Sequence, residues 1–106
     1  MDLEQKYINS INQLLELVSK VMEGFNRQGV YANVQDYSNL AELKYSSSQL
    51  SLIIFGQDSP FYKNCVKAET YRDDFAGPHI RGILAGMKKN IEEGYLRIPT
   101  LWYCIG

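Results

Sequence analysis

A chain of 106 residues with a hydrophobic share of 45% has room for one small domain with its own core. Its net charge of −1 lies too near zero to indicate a nucleic-acid or anionic-membrane binder. It has two cysteines, no CxxC motif and one histidine, which argues against a zinc site or a disulfide framework. We therefore predict no cofactor and no metal.

The first residues, MDLEQKY, lack the basic region and apolar run of a signal peptide. No apolar segment approaches the roughly 20 residues that span a bilayer. We therefore predict a cytoplasmic protein without a membrane partner.

The first predicted helix starts near Asp2, which with Gln5 can form a cap, and ends at Gly29. Apolar residues recur along it at three- and four-residue steps, which is typical of a bundle helix. They are Ile8, Ile11, Leu15, Val18, Met22 and Phe25, flanked by Tyr7, Leu14 and Val21.

Residues 30–38 carry turn-tolerant residues and no sustained period, so we predict a connection there. Asn39 and Glu42 have capping-box spacing for a second helix, and Asp36 is a competing start. One helical face then contains Leu40, Leu43, Leu50 and Ile54, with Ser47 in an apolar position. The run 50–55 alone also fits a short strand, but it has no convincing second strand to pair with, so we predict helix.

A short third helix follows Gly56, with Ser59 as its cap and Pro60 as its first residue. Its apolar side contains Phe61 and Cys65, with Val66 and Ala68 as further candidates, which makes Cys65 a core residue rather than a reactive thiol. It is predicted to end near residues 69–71, before a charged loop over residues 72–76.

The fourth helix is predicted over Gly77–Leu96, with Pro78 at its first helical position and Gly94 as its left-handed stop. Its apolar face consists of Ile80, Ile83, Leu84, Met87 and Ile91. The acidic residues of the preceding loop, Asp73 and Asp74, with Asp58 lack the alternation of a calcium loop and are read as solvated turns.

The sequence thus predicts an all-α fold, a small bundle of three long helices and one short helix over residues 1–97. Pro99 prevents easy helix continuation, and residues 98–106 form an apolar tail. This tail either docks on the bundle or begins a further element.

No catalytic signature stands out, so we predict a non-enzymatic module for protein interaction or oligomerisation. Eight tyrosines supply side chains common at interfaces, although tyrosines that cap a small core explain them as well. Small residues in the fourth helix permit close approach of another helix, from the same chain or from a partner. The candidate interaction residues are Gly82, Gly86, Tyr95, Leu101, Trp102 and Tyr103.

An alternative function rests on Arg72 and His79, which are separated by six residues. This spacing resembles the arginine and histidine pair of HEPN-type ribonucleases. A histidine can exchange protons with a ribose hydroxyl while an arginine stabilises the developing phosphate charge. The alternative is a small, metal-independent ribonuclease, whose partner is a nucleic acid.

The run Phe55–Tyr62, followed by Gly82-Ile83-Leu84 and Gly94-Tyr95-Leu96, resembles the N-terminal helical module of a group of uncharacterised bacterial proteins. Many of these resemble abortive-infection or other phage-defence components with a HEPN-like or effector domain further along. The resemblance covers roughly residues 1–97 and implies the accessory half of such a protein without its effector half. It carries no catalytic residue onto this chain.

Overall fold

The structure is a computed structural model that describes residues 2–25 and 32–94. This part of the chain folds into four α-helices without a strand: α1 (Leu3–Phe25), α2 (Val34–Phe55), α3 (Pro60–Ala68) and α4 (Asp73–Glu92). The predicted all-α fold with three long helices and one short helix is confirmed. None of these helices is long and apolar enough to cross a membrane.

The three long helices pack side by side, and α1 is in contact with both α2 and α4. Gly24 near the end of α1 lies against Asp36 near the start of α2, and Gly77 near the start of α4 lies against Met22. Helix α1 is therefore antiparallel to both neighbours. Helix α3 packs on α2 and α4, on the side away from α1.

The core is a single apolar cluster to which all four helices contribute. Its buried residues are Ile11, Val18, Val21, Leu40, Leu43, Ile54, Ala68, Ala76, Ile80, Leu84, Met87 and Ile91. Burial of one such large aliphatic side chain contributes about 1.5–3 kcal/mol.

Helix α1 begins as its sequence predicts, because the Gln5 backbone N–H donates to the Asp2 carboxylate at 2.8 Å. Three residues of its predicted face, Ile11, Val18 and Val21, are buried in the core. The predicted stop at Gly29 lies outside the described residues.

The predicted start of α2 at Asn39 is wrong, because Asn33 caps the helix six residues earlier. The Asn33 side chain accepts from the Asp36 backbone N–H at 2.9 Å, and the Asp36 carboxylate accepts from the Asn33 N–H at 2.9 Å. This reciprocal box satisfies two helix-end donors. Asp36 is also buried against Gly24, where an added Cβ would overlap its carboxylate.

The strand alternative for residues 50–55 is wrong, because this segment continues α2 to Phe55. The serine-rich face of α2 is buried although it is polar, and Ser47, Ser48 and Ser51 are all nearly inaccessible to solvent. Ser48 Oγ donates to the Glu69 carboxylate at 2.9 Å, and Ser51 Oγ donates to the Ser48 carbonyl at 2.9 Å. Ser47 Oγ has no hydrogen-bond partner among the described residues.

The turn between α2 and α3 forms as predicted. Gly56 has a φ of 87°, a left-handed value that glycine adopts without strain, and its N–H donates to Leu52. Ser59 caps α3 through its Oγ, which accepts from the Phe61 N–H at 3.0 Å, and Pro60 is the first helical residue.

The predicted start of α4 at Pro78 is wrong, because the charged segment before it is helical from Asp73. Asp73 and Asp74 place negative charge in the first turn, where the helix dipole favours it, and Ala76 is buried in the core. Pro78 is the sixth helical residue and has no N–H to donate to the preceding turn. The one backbone hydrogen bond that is lost in this way would be near the exposed start of the helix.

The predicted stop at Gly94 agrees with the structure, since Gly94 has a φ of 81° and its N–H donates to the Ile91 carbonyl at 3.0 Å. The predicted extension of the helix to Leu96 is wrong, because α4 ends at Glu92, before this glycine. The predicted boundary at residue 97 and the apolar tail over residues 98–106 lie outside the described residues.

The orphaned hydroxyl of Ser47 leads to a stability prediction. Ser47→Ala should raise the free energy of unfolding by about 1 kcal/mol, because it removes a buried polar group that lacks a partner. Chemical denaturation followed by circular dichroism measures this change.

Ser48→Ala is the matched control, since both substitutions replace a buried serine of the same helix. It should lower stability relative to Ser47→Ala, because it removes the hydrogen bond to Glu69. Equal effects of the two substitutions would contradict the assignment.

Candidate functional site

Two adjoining depressions lie where the end of α3 meets the first half of α4, with volumes of about 600 and 520 Å³. Tyr71, Pro78 and His79 line both of them. We call the combined surface the Tyr71 groove. Its remaining lining residues are Phe61, Asn64, Lys67, Thr70, Arg72, Phe75, Gly82 and Ile83.

A tight turn holds Tyr71 between the two helices. After α3 ends, the Tyr71 N–H donates to the Ala68 carbonyl at 3.1 Å, and Thr70 Oγ1 donates to the Lys67 carbonyl at 2.7 Å. The Phe75 and Ala76 N–H groups then both donate to the Arg72 carbonyl at 2.9 Å, which starts α4. The chain therefore passes from α3 to α4 in four residues that present Tyr71 and Arg72 side by side.

The rings of Tyr71 and His79 meet edge to face, with their centroids 4.5 Å apart and an angle of 85° between their planes. Tyr71 also packs against the core, whereas His79 is exposed. The sequence places His79 in the first turn of its helix, but the earlier start of α4 moves it into the second turn. Its ring is thus held by an aromatic contact and not by free backbone donors.

Arg72 lies at the outer edge of the groove, with its side chain 78% exposed. Its guanidinium lies 5.3 Å from the centre of the Phe75 ring, and Nε is 3.4 Å from the Asp74 carboxylate. An exposed ion pair of this kind is worth little. Phe75 is itself 58% exposed, so Arg72 and Phe75 form an open cation–π pair.

Three of the residues singled out from the sequence therefore meet in one groove: Arg72, His79 and Gly82. Gly86 has a different role, because a Cβ there would lie 3.2 Å from the Phe61 ring and the glycine lets α3 pack closely on α4. The other candidate residues, Tyr95, Leu101, Trp102 and Tyr103, lie outside the described residues.

Sequence reasoning did not single out Lys67, Tyr71 or Phe75 as site residues. One signal was available, since Tyr71, Phe75 and His79 follow one another at four-residue steps. Such spacing places side chains on one helical face. The predicted loop over residues 72–76 interrupts this helical face and hides the signal.

A separate depression, the α1–α2 groove, runs between α1 and α2 and has a volume of about 840 Å³. Its most exposed large hydrophobic side chains are Ile53 and Tyr45, at 65% and 67%. Its charged lining residues are Glu16, Lys20 and Glu42. It thus contains both signs of charge, whereas the charged residues that line the Tyr71 groove are the cations Lys67 and Arg72.

The described part of the chain has no group of three or more His, Cys, Asp or Glu side chains placed to hold a metal ion. The acidic residues at the start of α4 face cations instead: Asp73 lies 3.9 Å from Lys44 Nζ, and Asp74 pairs with Arg72.

Cys65 is buried between α3 and α2, as a core residue should be. Burial raises the pKa of its thiol, and the nearby Glu69 carboxylate raises this pKa further, while a hydrogen bond with Ser51 opposes them. The thiolate is therefore suppressed, and Cys65 is a poor nucleophile in the folded protein.

Within residues 2–25 and 32–94 the chain is thus an all-α helical bundle with an exposed aromatic and cationic groove. Comparisons with protein-family models, with curated proteins and with solved structures find no match for this chain. The resemblance to bacterial defence proteins stays a prediction, and function is inferred from the groove residues themselves.

The raised pKa and burial of Cys65 lead to a second prediction. In a Cys104→Ser variant, iodoacetamide should label Cys65 about 100-fold more slowly in the native protein than in denaturant, because labelling requires local opening. Mass spectrometry of timed samples measures the rate.

The same thiol should make stability fall at alkaline pH. The folded protein keeps the Cys65 proton at pH values where the unfolded chain loses it, so this contribution is complete below the ordinary thiol pKa and declines above it. A Cys65→Ala variant serves as the control and should lack this decline.

For the labelling experiment, the contradicting outcome is a rate of Cys65 labelling in the native protein that equals the rate in denaturant. This result would contradict the burial of Cys65.

Proposed function

We propose that this chain is a non-enzymatic helical module that binds other proteins. The observation that carries the proposal is the Tyr71 groove, where Tyr71, Phe75 and Arg72 surround an open depression. Tyrosine, phenylalanine and arginine are enriched at protein interfaces, and tyrosine and arginine are also enriched in their hot spots. A phenylalanine that is 58% exposed beside an arginine fits such a surface.

Self-association is a second part of the proposal, and we place it at the α1–α2 groove. In a twofold symmetric dimer the same patch meets its own copy. Two Tyr71 grooves face to face would bring Arg72 and Lys67 of one copy close to Arg72 and Lys67 of the other, and these like charges repel. The α1–α2 groove carries Lys20 together with Glu16 and Glu42, so two copies can pair opposite charges across the axis.

A narrower proposal concerns biological context. The resemblance of Phe55–Tyr62, Gly82-Ile83-Leu84 and Gly94-Tyr95-Leu96 to bacterial phage-defence proteins supports a role as an accessory component of such a system. The partner would then be a defence effector encoded by a neighbouring gene.

A ribonuclease that uses Arg72 and His79 is the second candidate function. One observation favours it: both side chains line the same depression. One observation weighs against it, because the chain has no second histidine to complete acid and base catalysis.

The proposal makes a prediction about molar mass. Light scattering at increasing concentration should show a mass above that of a single chain, and Ile53→Ser should lower it by removing exposed apolar surface from the α1–α2 groove.

Two matched substitutions serve as controls for this measurement. Val34→Ser removes an apolar side chain that is 86% exposed on the same helix, and Phe75→Ser alters the other groove. Neither should change the mass. The mass of a single chain at every concentration would contradict self-association. Dissociation caused by Phe75→Ser would place the self-association interface at the Tyr71 groove.

Gel assays of RNA cleavage distinguish the interaction module from the ribonuclease alternative. The ribonuclease should cleave RNA in the presence of a chelator. We expect the unmodified protein to leave several single-stranded and structured RNAs intact under these conditions, because His79 is its only imidazole. RNA cleavage would contradict the interaction module if His79→Ala abolished it and Arg81→Gln left it unchanged. The protein would then be an enzyme.

A further inference from the structure

We infer that the Tyr71 groove binds an acidic segment of a partner protein, and that the main chain of this segment crosses α4 at Gly82. The inference rests on the proposed interaction function and adds the chemistry of the partner. Charge, exposed aromatic surface and an unexplained glycine support it independently.

The charge of the groove selects an acidic partner. Lys67 and Arg72 line its two depressions, one in each, and the described lining contains no aspartate or glutamate. Asp74 approaches Arg72 from outside the lining at 3.4 Å, but the arginine side chain remains 78% exposed. A guanidinium has five N–H donors, so it can bind a second carboxylate while it keeps the first.

The aromatic residues provide the apolar part of the contact. Tyr71 and His79, with their rings in contact, line both depressions, and the exposed Phe75 lines one of them. A segment with apolar side chains next to its acidic ones can fill the depressions while its carboxylates reach Arg72 and Lys67. Aromatic anchors beside arginine are typical of such contacts.

Gly82 indicates where the main chain of the partner passes. The structure describes four glycines inside helices, and three of them meet neighbouring side chains of the same chain: Gly24, Gly77 and Gly86. A Cβ at Gly82 would have no atom of the described residues within 4 Å, although this glycine lies mid-helix, where it is less favourable than alanine. The packing of the described helices therefore does not need a glycine there, whereas close approach of another backbone does.

A protein segment fits these residues better than RNA does. Single-stranded nucleic acid needs a cationic track along several phosphates. The described lining of the groove has two cations, one of them shared with Asp74, on a chain whose net charge is −1.

Fluorescence anisotropy with synthetic probes tests the inference. The probe is a labelled short peptide in which glutamates alternate with leucine and tryptophan, and the comparison probes are the same peptide with lysine for glutamate and a uridine oligonucleotide of similar length. We expect the acidic peptide to bind more tightly than either, with an affinity that falls as salt is added.

Matched variants locate the binding. Arg72→Gln should weaken binding of the acidic peptide by about fivefold, the effect of one exposed ion pair. Arg81→Gln removes the same charge from an exposed residue of α4 outside the groove lining, and it should leave binding within about twofold. Gly82→Gln should weaken binding while the melting temperature stays equal or rises, a combination that damage to the fold would not produce.

The outcomes separate the inference from the proposed function. Preferential binding of the acidic peptide that is lost in Arg72→Gln and Gly82→Gln supports both. If the lysine peptide binds as tightly as the acidic one, or if Arg81→Gln weakens binding as much as Arg72→Gln, the inference of an acidic partner is wrong. The proposal of an interaction surface then still stands. Tighter binding of the oligonucleotide overturns the partner class, and RNA cleavage overturns the interaction module as well. Absence of binding by every probe overturns the inference, while the mass measurement still tests self-association.

Discussion

Burial of the apolar face of α4 is the interaction on which the rest of the bundle depends. Ile80, Leu84, Met87 and Ile91 are essentially inaccessible, and α4 is in contact with each of the other three helices. At about 1.5–3 kcal/mol for each such side chain, this face is a large share of the stabilisation available to a small domain. The opposite face of the same helix is left to line the Tyr71 groove, so the packing that forms the core also positions the site.

Small residues set how closely the other helices approach this face. Gly77 admits Met22 of α1, Gly86 admits Phe61 of α3, and Gly24 admits the buried Asp36 cap of α2. The serine face of α2 acts similarly toward α3, where Ser48 bonds to Glu69 and Ser51 folds its hydroxyl back to the backbone. Helix contacts made through small side chains leave little room for adjustment, since interiors are close-packed. Gly82 differs because nothing in the described chain lies against it.

The two surface grooves differ in charge, and this difference is the physical basis for assigning them different partners. The α1–α2 groove carries both signs, which suits contact with a copy of itself, whereas the Tyr71 groove carries cations only in its described lining. Arg72 and His79, the residues that suggest a nuclease, belong to the second groove. There Arg72 is held by Phe75 and Asp74 and His79 by Tyr71, contacts that fit a binding surface as well as they fit catalysis.

The sequence by itself determined the helix count, the apolar faces of α1 and α4, and the turn at Gly56-Gln57-Asp58-Ser59-Pro60, because hydrophobic period and glycine or proline geometry are local properties. It did not determine where α2 and α4 begin. Asn33 competes with Asn39 as a cap, and Pro78 hides a helix start that is stabilised by burial of Ala76. The Tyr71 groove was likewise decided only by the tertiary structure, because it brings Phe61 and Lys67 of α3 beside His79 and Gly82 of α4. Which side chains meet across two helices depends on their packing, and no local pattern encodes that distance.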